Sequence, residues 1–437
     1  MKIYKNILFL LLSILFSQNW HPYHNIELNN HRNLFVDYER IDSLARMQNI
    51  PENSFRENLS HEVIGYLPYW EYEHYTDLNY DLLTQINYFS AELDPYGNII
   101  NSHNWNNLYL IEYAHARNVK VKLCATLFGQ SDLSTLLSSP LNRSNAISNL
   151  LNLVSSRNAD GIDIDFELLP YSQRENLVLF MNELSTAFHN EMDDPIITMA
   201  TPAVDWSNAW DYNALAQLTD GLFVMGYNYF YSGSSMAGPV SPLGGYTYDI
   251  EYTINDYINK TNGQLDKIIL GLPYYGYDWP VENSNINSNT TGNGSARIYS
   301  DASMMSQNYG NLWDASSSSV WFTYQQSNWQ QCWYDDSLSL SNKYQFAIDR
   351  NLSGVGIWAL GYDNGNNELW GALSDKFFNS NLGDFNNDGF ANVIDVIILV
   401  NIVLGIDDAS VDADLTDDGQ VNILDIVYLV TMILNYE

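Results

Sequence analysis

Three carboxylates stand at every second position near the end of the segment 160–167, which has the sequence DGIDIDFE. Side chains alternate between the two faces of a β-strand, so Asp163, Asp165 and Glu167 share one face, while the positions between them are apolar. Carboxylates confined together repel one another, and this raises the pKa of at least one of them. We therefore expect Glu167 to be able to act as a general acid at neutral pH.

An acidic triplet at an exposed strand end would be solvated or would bind a cation. This triplet instead interrupts an otherwise apolar strand within a series of such strands. Burying charge without a function is unfavourable, which favours a catalytic site over a solvated surface.

The strand that carries the triplet belongs to a series of short apolar runs that alternate with helix-like patterns such as Leu108–Arg117 and Arg174–Phe188. Eight strands alternating with helices predict an α/β fold, a (β/α)8 TIM barrel, over residues 61–378. In that barrel Glu167 would lie at the C-terminal mouth, where active sites form. The eight runs are Val63–Leu67, Ile86–Ala91, Val119–Thr126, Gly161–Glu167, Ile196–Thr201, Gly221–Gly226, Ile268–Gly271 and Val355–Ala359.

The remaining parts of the chain differ in composition from the barrel region. The longest interval between runs separates Gly271 from Val355, and its excess, roughly 278–335, predicts a small insertion after the seventh strand. Residues 1–17 are typical of a secretory signal peptide, with Lys2 and Lys5 before the apolar run Ile7–Phe16, so we expect a secreted, cell-surface or periplasmic protein. Residues 18–60 are expected to be a spacer with one helix at Asp37–Met47.

The charge and the residue counts exclude several classes of function. The chain has 18 basic and 52 acidic residues, a net charge of −34, which argues against nucleic acid as a partner. Its two cysteines exclude a disulfide scaffold and a cysteine zinc site. Its apolar runs are too short for a membrane span.

The acidic segment resembles the DGxDxDxE signature of glycoside hydrolase family 18, the chitinases and endo-β-N-acetylglucosaminidases. Over residues 61–376 three further segments resemble the family in the same order: GYLPYW at 65–70, MGYN at 225–228 and GIWALGYD at 356–363. The third-strand segment 125–129 departs from the family's S-x-G-G, and Asn228 stands where Asp is common.

This resemblance implies a role for each matching residue. Glu167 would protonate the glycosidic oxygen and then activate water, Asp165 would orient the substrate's N-acetyl group, and Asp163 would tune the charge of Asp165. The acetamide itself would be the nucleophile, so no catalytic cofactor is expected. The residues implied to bind this sugar are Tyr227, which would hydrogen-bond the acetamide oxygen, Trp358 as the pocket floor, and Tyr66, Trp70, Met225 and Asn228 around it.

An acidic unit is duplicated in residues 382–437, where there is no Lys or Arg. Each copy has the spacing of an EF-hand loop followed by one apolar helix, Val393–Leu404 or Ile423–Leu434. Oxygen ligands at this spacing predict one structural Ca²⁺ per loop. The predicted ligands are Asp384, Asn386, Asp388, Phe390, Asn392 and Asp395 in the first loop, and Asp414, Thr416, Asp418, Gln420, Asn422 and Asp425 in the second.

One loop and one helix per copy resemble a bacterial dockerin, a small all-α calcium-loop domain, which implies a cohesin-like protein partner. The whole chain is thus expected to be a secreted, retaining glycosidase acting on β-1,4-linked N-acetylglucosamine polymers, chitin first. The alternatives are a peptidoglycan or N-glycan endo-β-N-acetylglucosaminidase, a non-catalytic chitin-binding lectin on the same barrel, and a structural scaffold component. Retention of Glu167 argues against the lectin, and the aromatic segments after the strands argue against the scaffold component.

Overall fold

The computed structural model describes residues 23–48, 59–378, 382–386, 391–407, 413–416 and 418–435. The predicted signal peptide and the metal-ligand positions Asp388 and Phe390 lie outside the described residues. The strands are β1 (Glu62–Pro68), β2 (Gln85–Leu93), β3 (Ile99–Asn101), β4 (Lys120–Phe128), β5 (Gly161–Glu167), β6 (Ile196–Pro202), β7 (Gly221–Met225), β8 (Ile268–Pro273), β9 (Tyr275–Val281), β10 (Ser295–Ile298), β11 (Leu312–Asp314), β12 (Ser319–Gln325), β13 (Trp329–Tyr334) and β14 (Gly354–Trp358).

Helices separate most of these strands. They are α1 (Tyr23–His31), α2 (Tyr38–Ala45), α3 (Leu110–His115), α4 (Gln130–Ser138), α5 (Pro140–Ser155), α6 (Arg174–Glu191), α7 (Tyr212–Leu218), α8 (Ile250–Lys260), α9 (Tyr299–Tyr309), α10 (Ser337–Asp349), α11 (Glu368–Phe377), α12 (Val393–Val403) and α13 (Ile423–Asn435). Short 3₁₀ helices span Tyr69–Asp77, Tyr80–Leu82, Trp105–Asn107, Tyr171–Gln173 and Leu265–Lys267.

Eight parallel strands form the predicted barrel, in the order β1, β2, β4, β5, β6, β7, β8 and β14. Strand β1 pairs with β14 on one side and with β2 on the other, which closes the ring. Each predicted apolar run coincides with one barrel strand, so the (β/α)8 expectation is confirmed. The signal was strong because strands buried on both faces are nearly continuous apolar runs.

The predicted insertion is a second sheet that follows β8. It is antiparallel, with strand order β10-β9-β13-β12-β11, and α9 lies between β10 and β11. Trp321 and Trp333 stack within it at 5.3 Å between ring centroids. The insertion begins at Tyr275 rather than near residue 278, because β9 follows the barrel strand almost directly.

Two helices precede the barrel in the region expected to be a spacer. Helix α2 lies within the predicted Asp37–Met47 and is anchored by Asp42, whose carboxylate accepts hydrogen bonds from Tyr72 OH at 2.7 Å and from the backbone N of Tyr109 at 3.0 Å. Helix α1, which the sequence did not predict, lies in the barrel mouth.

The C-terminal repeat has its own apolar core. Helices α12 and α13 contribute Leu399, Ile402, Tyr428 and Leu429, which are buried in a cluster separate from that of the barrel. Among the described helices, none is both long enough and apolar enough to cross a membrane.

Candidate functional site

Strand β5 carries the three carboxylates into the barrel, as the alternation predicted. Asp163 and Asp165 are fully buried, and Glu167, the last residue of the strand, is 5% exposed. On the opposite face Phe166 packs on Phe180 of α6, with ring centroids 5.4 Å apart. The acidic face therefore points into the barrel and the apolar face packs on a helix.

The first two residues of the acidic segment serve the fold. The Asp160 carboxylate accepts a hydrogen bond from the backbone N of Val121 at 2.7 Å and forms another hydrogen bond with Nε2 of His115 at 2.6 Å. A Cβ at Gly161 would lie 1.8 Å from the backbone O of Ile196. Only glycine fits where β5 starts beside β6. Asp160 and Gly161 therefore fix the position of the strand, and the later carboxylates are the candidates for catalysis.

The innermost carboxylate, Asp163, is held by two hydroxyl groups. Tyr66 OH donates to it at 2.7 Å and Thr198 Oγ1 at 2.6 Å. Lys122 Nζ in turn donates to Thr198 Oγ1 at 2.6 Å. Burial lowers the pKa of Lys122 to about 8, while the charge of Asp163 opposes that change. Asp163 is thus a fixed group next to Asp165, which agrees with the tuning role implied for it.

Burial raises the pKa of both outer carboxyl groups. For Asp165 the contact with His24 opposes this rise and the charge of Asp163 adds to it. For Glu167 burial is again the larger cause, and the charge of Asp165 raises its pKa further, well above the usual value. The sequence predicts a raised pKa from charge repulsion, whereas loss of solvent on burial contributes more.

Three buried polar atoms of this site have no hydrogen-bond partner within the described part of the chain. They are Asp165 Oδ1, Glu167 Oε1 and Trp358 Nε1. Buried polar atoms in folded proteins are nearly always paired, and an unpaired one calls for an explanation such as a missing ligand. Three in one site indicate a pocket built for a polar ligand.

The end of β7 brings the next predicted residues to the pocket. Met225 and Tyr227 are buried, and burial followed by the charge of Asp165 raises the pKa of the Tyr227 phenol. Asn228 adopts a left-handed φ of 61°, which asparagine tolerates. Its Oδ1 accepts a hydrogen bond from Tyr275 OH at 2.7 Å, so the amide at this position orients a pocket tyrosine.

The predicted tryptophans occupy different places. Trp358 is fully buried, with its ring 5.5 Å from that of Tyr66 and 5.0 Å from that of Phe89. Trp70 lies on the other side of Phe89, at 5.8 Å, and its Nε1 donates to Tyr362 OH at 3.3 Å. Trp358 therefore belongs with the carboxylates, and Trp70 extends the aromatic surface beside them.

Helix α1 places His24 at the centre of the pocket. Its Nδ1 lies 2.7 Å from Asp165 Oδ2 and 3.8 Å from Glu167 Oε1, and its Nε2 lies 2.8 Å from Tyr227 OH. The imidazole stacks on Trp358 with centroids 3.7 Å apart and planes 22° apart. The predicted spacer therefore supplies a side chain that contacts four predicted site residues.

His24, Asp165 and Glu167 also offer ligand atoms within 4.8 Å of one another, a spacing compatible with a cation. The direct hydrogen bond between His24 and Asp165 accounts for their proximity without one, and we assign no metal here.

Sequence reasoning missed three residues of this site. Lys122 and Thr198 carried a readable signal, because each is a polar residue at an inward position of a mostly apolar barrel strand. His24 carried none, since it stands 141 positions from Asp165 in a polar region without strand or helix periodicity.

The model of the family named glycosyl hydrolases family 18 matches residues 62–363. The Bacillus subtilis protein YdhD, whose name describes a sporulation-specific glycosylase, is 28% identical over 63% of this chain and 66% of its own length. The cortical fragment-lytic enzyme of the same organism is 30% identical over 49% of each chain. Human di-N-acetylchitobiase is 27% identical over 57% of this chain and 69% of its own.

Solved structures share the fold at lower identity. A Cycas revoluta chitinase in complex with (GlcNAc)4 superposes with a TM-score of 0.66 at 19% identity, covering 72% of this chain and 99% of its own. A chitinase-like agglutinin from Robinia pseudoacacia superposes with a TM-score of 0.65 at 22% identity, covering 72% and 98%. The chain thus matches about half to two thirds of the length of the two Bacillus relatives and nearly all of these two structures.

Proposed function

Because the chain belongs to glycosyl hydrolase family 18, we propose that it is a secreted, retaining glycosidase that cleaves β-1,4-linked N-acetylglucosamine polymers of the chitin type. The observation that carries this proposal is the buried Glu167, whose pKa is raised first by burial and then by the charge of Asp165, and whose Oε1 has no hydrogen-bond partner among the described residues. A carboxyl group that stays protonated at neutral pH is what leaving-group protonation requires.

In the proposed first step Glu167 gives its proton to the glycosidic oxygen while the C1–O bond breaks. The oxygen of the 2-acetamido group attacks C1, forming an oxazolinium ring. Asp165 accepts a hydrogen bond from the acetamide N–H and balances its positive charge, and Tyr227 OH donates to the acetamide oxygen. Water, deprotonated by Glu167, then attacks C1 and reopens the ring, so that configuration is retained.

The surrounding residues support this division of roles. Both oxygens of Asp163 are occupied by Tyr66 and Thr198, which leaves Asp165 as the carboxylate that can face the acetamide. Trp358, buried beneath the pocket, provides a flat apolar floor and an N–H without a partner in the described residues. The sugar needs its own nucleophile because Asp165 is engaged in orienting the acetamide.

A second candidate substrate is bacterial cell-wall glycan, which also contains N-acetylglucosamine. It is favoured by the names of the two Bacillus relatives, a sporulation-specific glycosylase and a cortical fragment-lytic enzyme. N-glycan cores are a third source of the same linkage type. A non-catalytic lectin is disfavoured because Glu167 is present, although an agglutinin has the same fold.

Product analysis on four substrates tests the proposal: N-acetylglucosamine oligomers, peptidoglycan, high-mannose glycopeptides and a β-1,4-glucan without acetamide. Because His24 of α1 contacts Asp165 and Tyr227, each substrate is tested on the intact chain and on a chain cleaved at a protease site introduced at residues 32–35, which are exposed. We expect cleavage of an acetamido substrate with retention and none of the glucan. Efficient hydrolysis of the glucan would refute the substrate-assisted mechanism.

We also propose that the C-terminal repeat is a dockerin-like module that binds two structural Ca²⁺ ions. The described donors fit a hard cation: Asp395 and Asp425 are fully buried, and Asp414 accepts hydrogen bonds from the backbone N of Asp418 and Gly419, which curls the second loop around its carboxylate. Gly419 has a φ of +80°, as the sharp turn requires.

A cohesin-like protein is the partner proposed for this module. The residues at positions 10 and 11 of each loop are apolar and exposed on α12 and α13: Val393, Ile394, Ile423 and Leu424 are 67%, 51%, 61% and 54% exposed. Equivalent apolar pairs on two copies of one unit form a surface suited to protein contact.

A further inference from the structure

Helix α1 makes contacts in the pocket that have the chemistry of a bound substrate. We propose that the sugar pocket is also a binding site for this helix, and that Tyr23–His31 is an internal inhibitor which substrate or a protease must displace. The inference rests on the proposed function, because inhibition presupposes that the pocket binds the substrate.

The imidazole of His24 reproduces the polar pattern of an acetamide. Asp165 and Tyr227, the two groups proposed to hold the acetamide N–H and C=O, lie 2.7 and 2.8 Å from the two ring nitrogens. With the proton on Nδ1, the ring donates to Asp165 and accepts from Tyr227 OH, as an acetamide would. Its flat face lies on Trp358, 3.7 Å between centroids, where the sugar is expected.

The rest of α1 occupies the aromatic surface around this pocket. Tyr23 stacks on Tyr275 at 4.1 Å with planes 7° apart, and His31 stacks on Trp70 at 4.5 Å, also with planes 7° apart. Aromatic faces of this kind are the platforms on which sugar rings stack. Tyr23 and His31 are eight positions apart, about two turns of helix, and such positions lie on one side of a helix, so one face of α1 covers both platforms.

A fourth contact comes from the middle of the same face. The carboxylate of Glu27 accepts a hydrogen bond from Tyr362 OH at 3.0 Å and is 7% exposed. Leu28 is 3% exposed. The helix is therefore bound along its length in the cleft and not merely at its first turn.

The helix is held in a way that permits release. Residues 32–35 are exposed, Phe35 by 84%, and connect α1 to α2, which Asp42 anchors to the barrel. A helix of nine residues is marginal in water by itself, so α1 is stable as a helix only while docked. Exposed connecting segments are preferred sites of proteolysis, so cleavage here would free α1 and leave the anchor in place.

Docked α1 also leaves the pocket incompletely satisfied. Asp165 Oδ1, Glu167 Oε1 and Trp358 Nε1 have no hydrogen-bond partner in the described residues even with His24 in place. A sugar that supplies hydroxyl groups and an acetamide can pair these atoms as well. We therefore expect substrate to displace α1 from the pocket, so that α1 acts as a reversible competitive inhibitor.

Cleavage at a site-specific protease sequence introduced at residues 32–35 tests the proposal. After cleavage, KM for N-acetylglucosamine tetramer should fall at least about tenfold with kcat unchanged, because the competent fraction rises. His24→Ala should give the same change without cleavage, while His189→Ala, an exposed histidine on α6, should not. An unchanged KM after cleavage, or equal effects of the two substitutions, would overturn it.

A second measurement separates this inference from the proposed function. A fluorescent peptide of residues 23–35 is added to the cleaved chain, and its binding is followed by anisotropy in the absence of sugar. The wild-type peptide should bind at least about tenfold more tightly than a His24→Ala peptide, and Tyr227→Phe in the chain should weaken it. If the cleaved chain hydrolyses no glycan but still binds the wild-type peptide more tightly than the His24→Ala peptide, the proposed hydrolase function is wrong and the proposal that α1 is an internal ligand is supported. Equal binding of the two peptides would overturn the proposal that α1 is an internal ligand of the pocket.

Discussion

At the scale of single residues, neighbours on one strand have opposite tasks because their surroundings differ. Asp163 has both oxygens bonded to hydroxyl groups. Glu167, four residues later, has an Oε1 without a hydrogen-bond partner in the described residues and a pKa raised first by burial and then by the charge of Asp165. One carboxyl group is thus held in place by two hydroxyl groups, while the raised pKa of the other favours its protonated form.

This difference predicts the effect of Glu167→Gln. The amide keeps the shape of the side chain but cannot donate an acidic proton, so kcat should fall at least about 100-fold while oligosaccharide binding persists. Initial rates and titration calorimetry on the cleaved chain measure the two effects. Glu175→Gln on α6, which is exposed, is the matched control and should leave both unchanged. Undiminished turnover in Glu167→Gln would exclude it as the acid.

The same raised pKa predicts the pH profile. The acid must be protonated to act, so the decline of kcat with rising pH should begin above the range of an ordinary glutamic acid, as pH rises through the raised pKa of Glu167. For a carboxyl group of ordinary pKa the decline would begin near pH 4 to 5. A profile that already declines in that range would show that burial does not keep Glu167 protonated.

Residue identities in the site were predictable where a local pattern carried them. Alternation placed Asp163, Asp165 and Glu167 on one buried face, and the structure confirms it. His24 was not predictable, because its place depends on a contact between distant parts of the chain and a histidine in a polar segment has no periodicity to reveal it. The dominant cause of the raised pKa was also missed, since burial depends on what covers the pocket.

At the scale of elements, strand β4 places a lysine inside the barrel. Lys122 is fully buried and reaches Asp163 through Thr198. Lys120, two residues earlier on the same strand, has a side chain 57% exposed. The same strand therefore carries one buried lysine and one lysine whose side chain is largely exposed to solvent.

Lys122 should make stability depend on pH. Its pKa is about 8 in the folded chain and 10.5 unfolded, so between these values the unfolded chain binds more protons and the free energy of unfolding rises with pH. From pH 7 to 10 the wild type should gain about 2 kcal/mol relative to Lys122→Met. Denaturant unfolding at several pH values measures this, with Lys120→Met as control. Parallel curves for wild type and Lys122→Met would contradict the shift.

At the scale of the whole molecule, the described residues form two apolar cores of very different size. The barrel and its inserted sheet share one core, whereas the C-terminal repeat relies on a small cluster around Leu399, Leu415 and Leu429. The change in composition near residue 380 and the duplicated acidic unit predict a separate C-terminal unit, and the boundaries of that unit stay a prediction. The docking of α1 could not be predicted, because no sequence period indicates which surface a short helix will cover.

The small C-terminal core predicts that this module depends on metal. Residues 382–437 carry eleven acidic and no basic residues, and so small a unit buries too little surface to oppose their repulsion. Ca²⁺ bound by each loop would cancel charge and cross-link the loop, which couples binding to folding. In the full chain a chelator should therefore open the module to protease near residues 379–382 and leave barrel fluorescence and hydrolysis unchanged. Asp425→Asn should reproduce this at limiting Ca²⁺, whereas Asp375→Asn, exposed on α11, should not. Identical digestion patterns with and without chelator would show that the repeat folds without calcium.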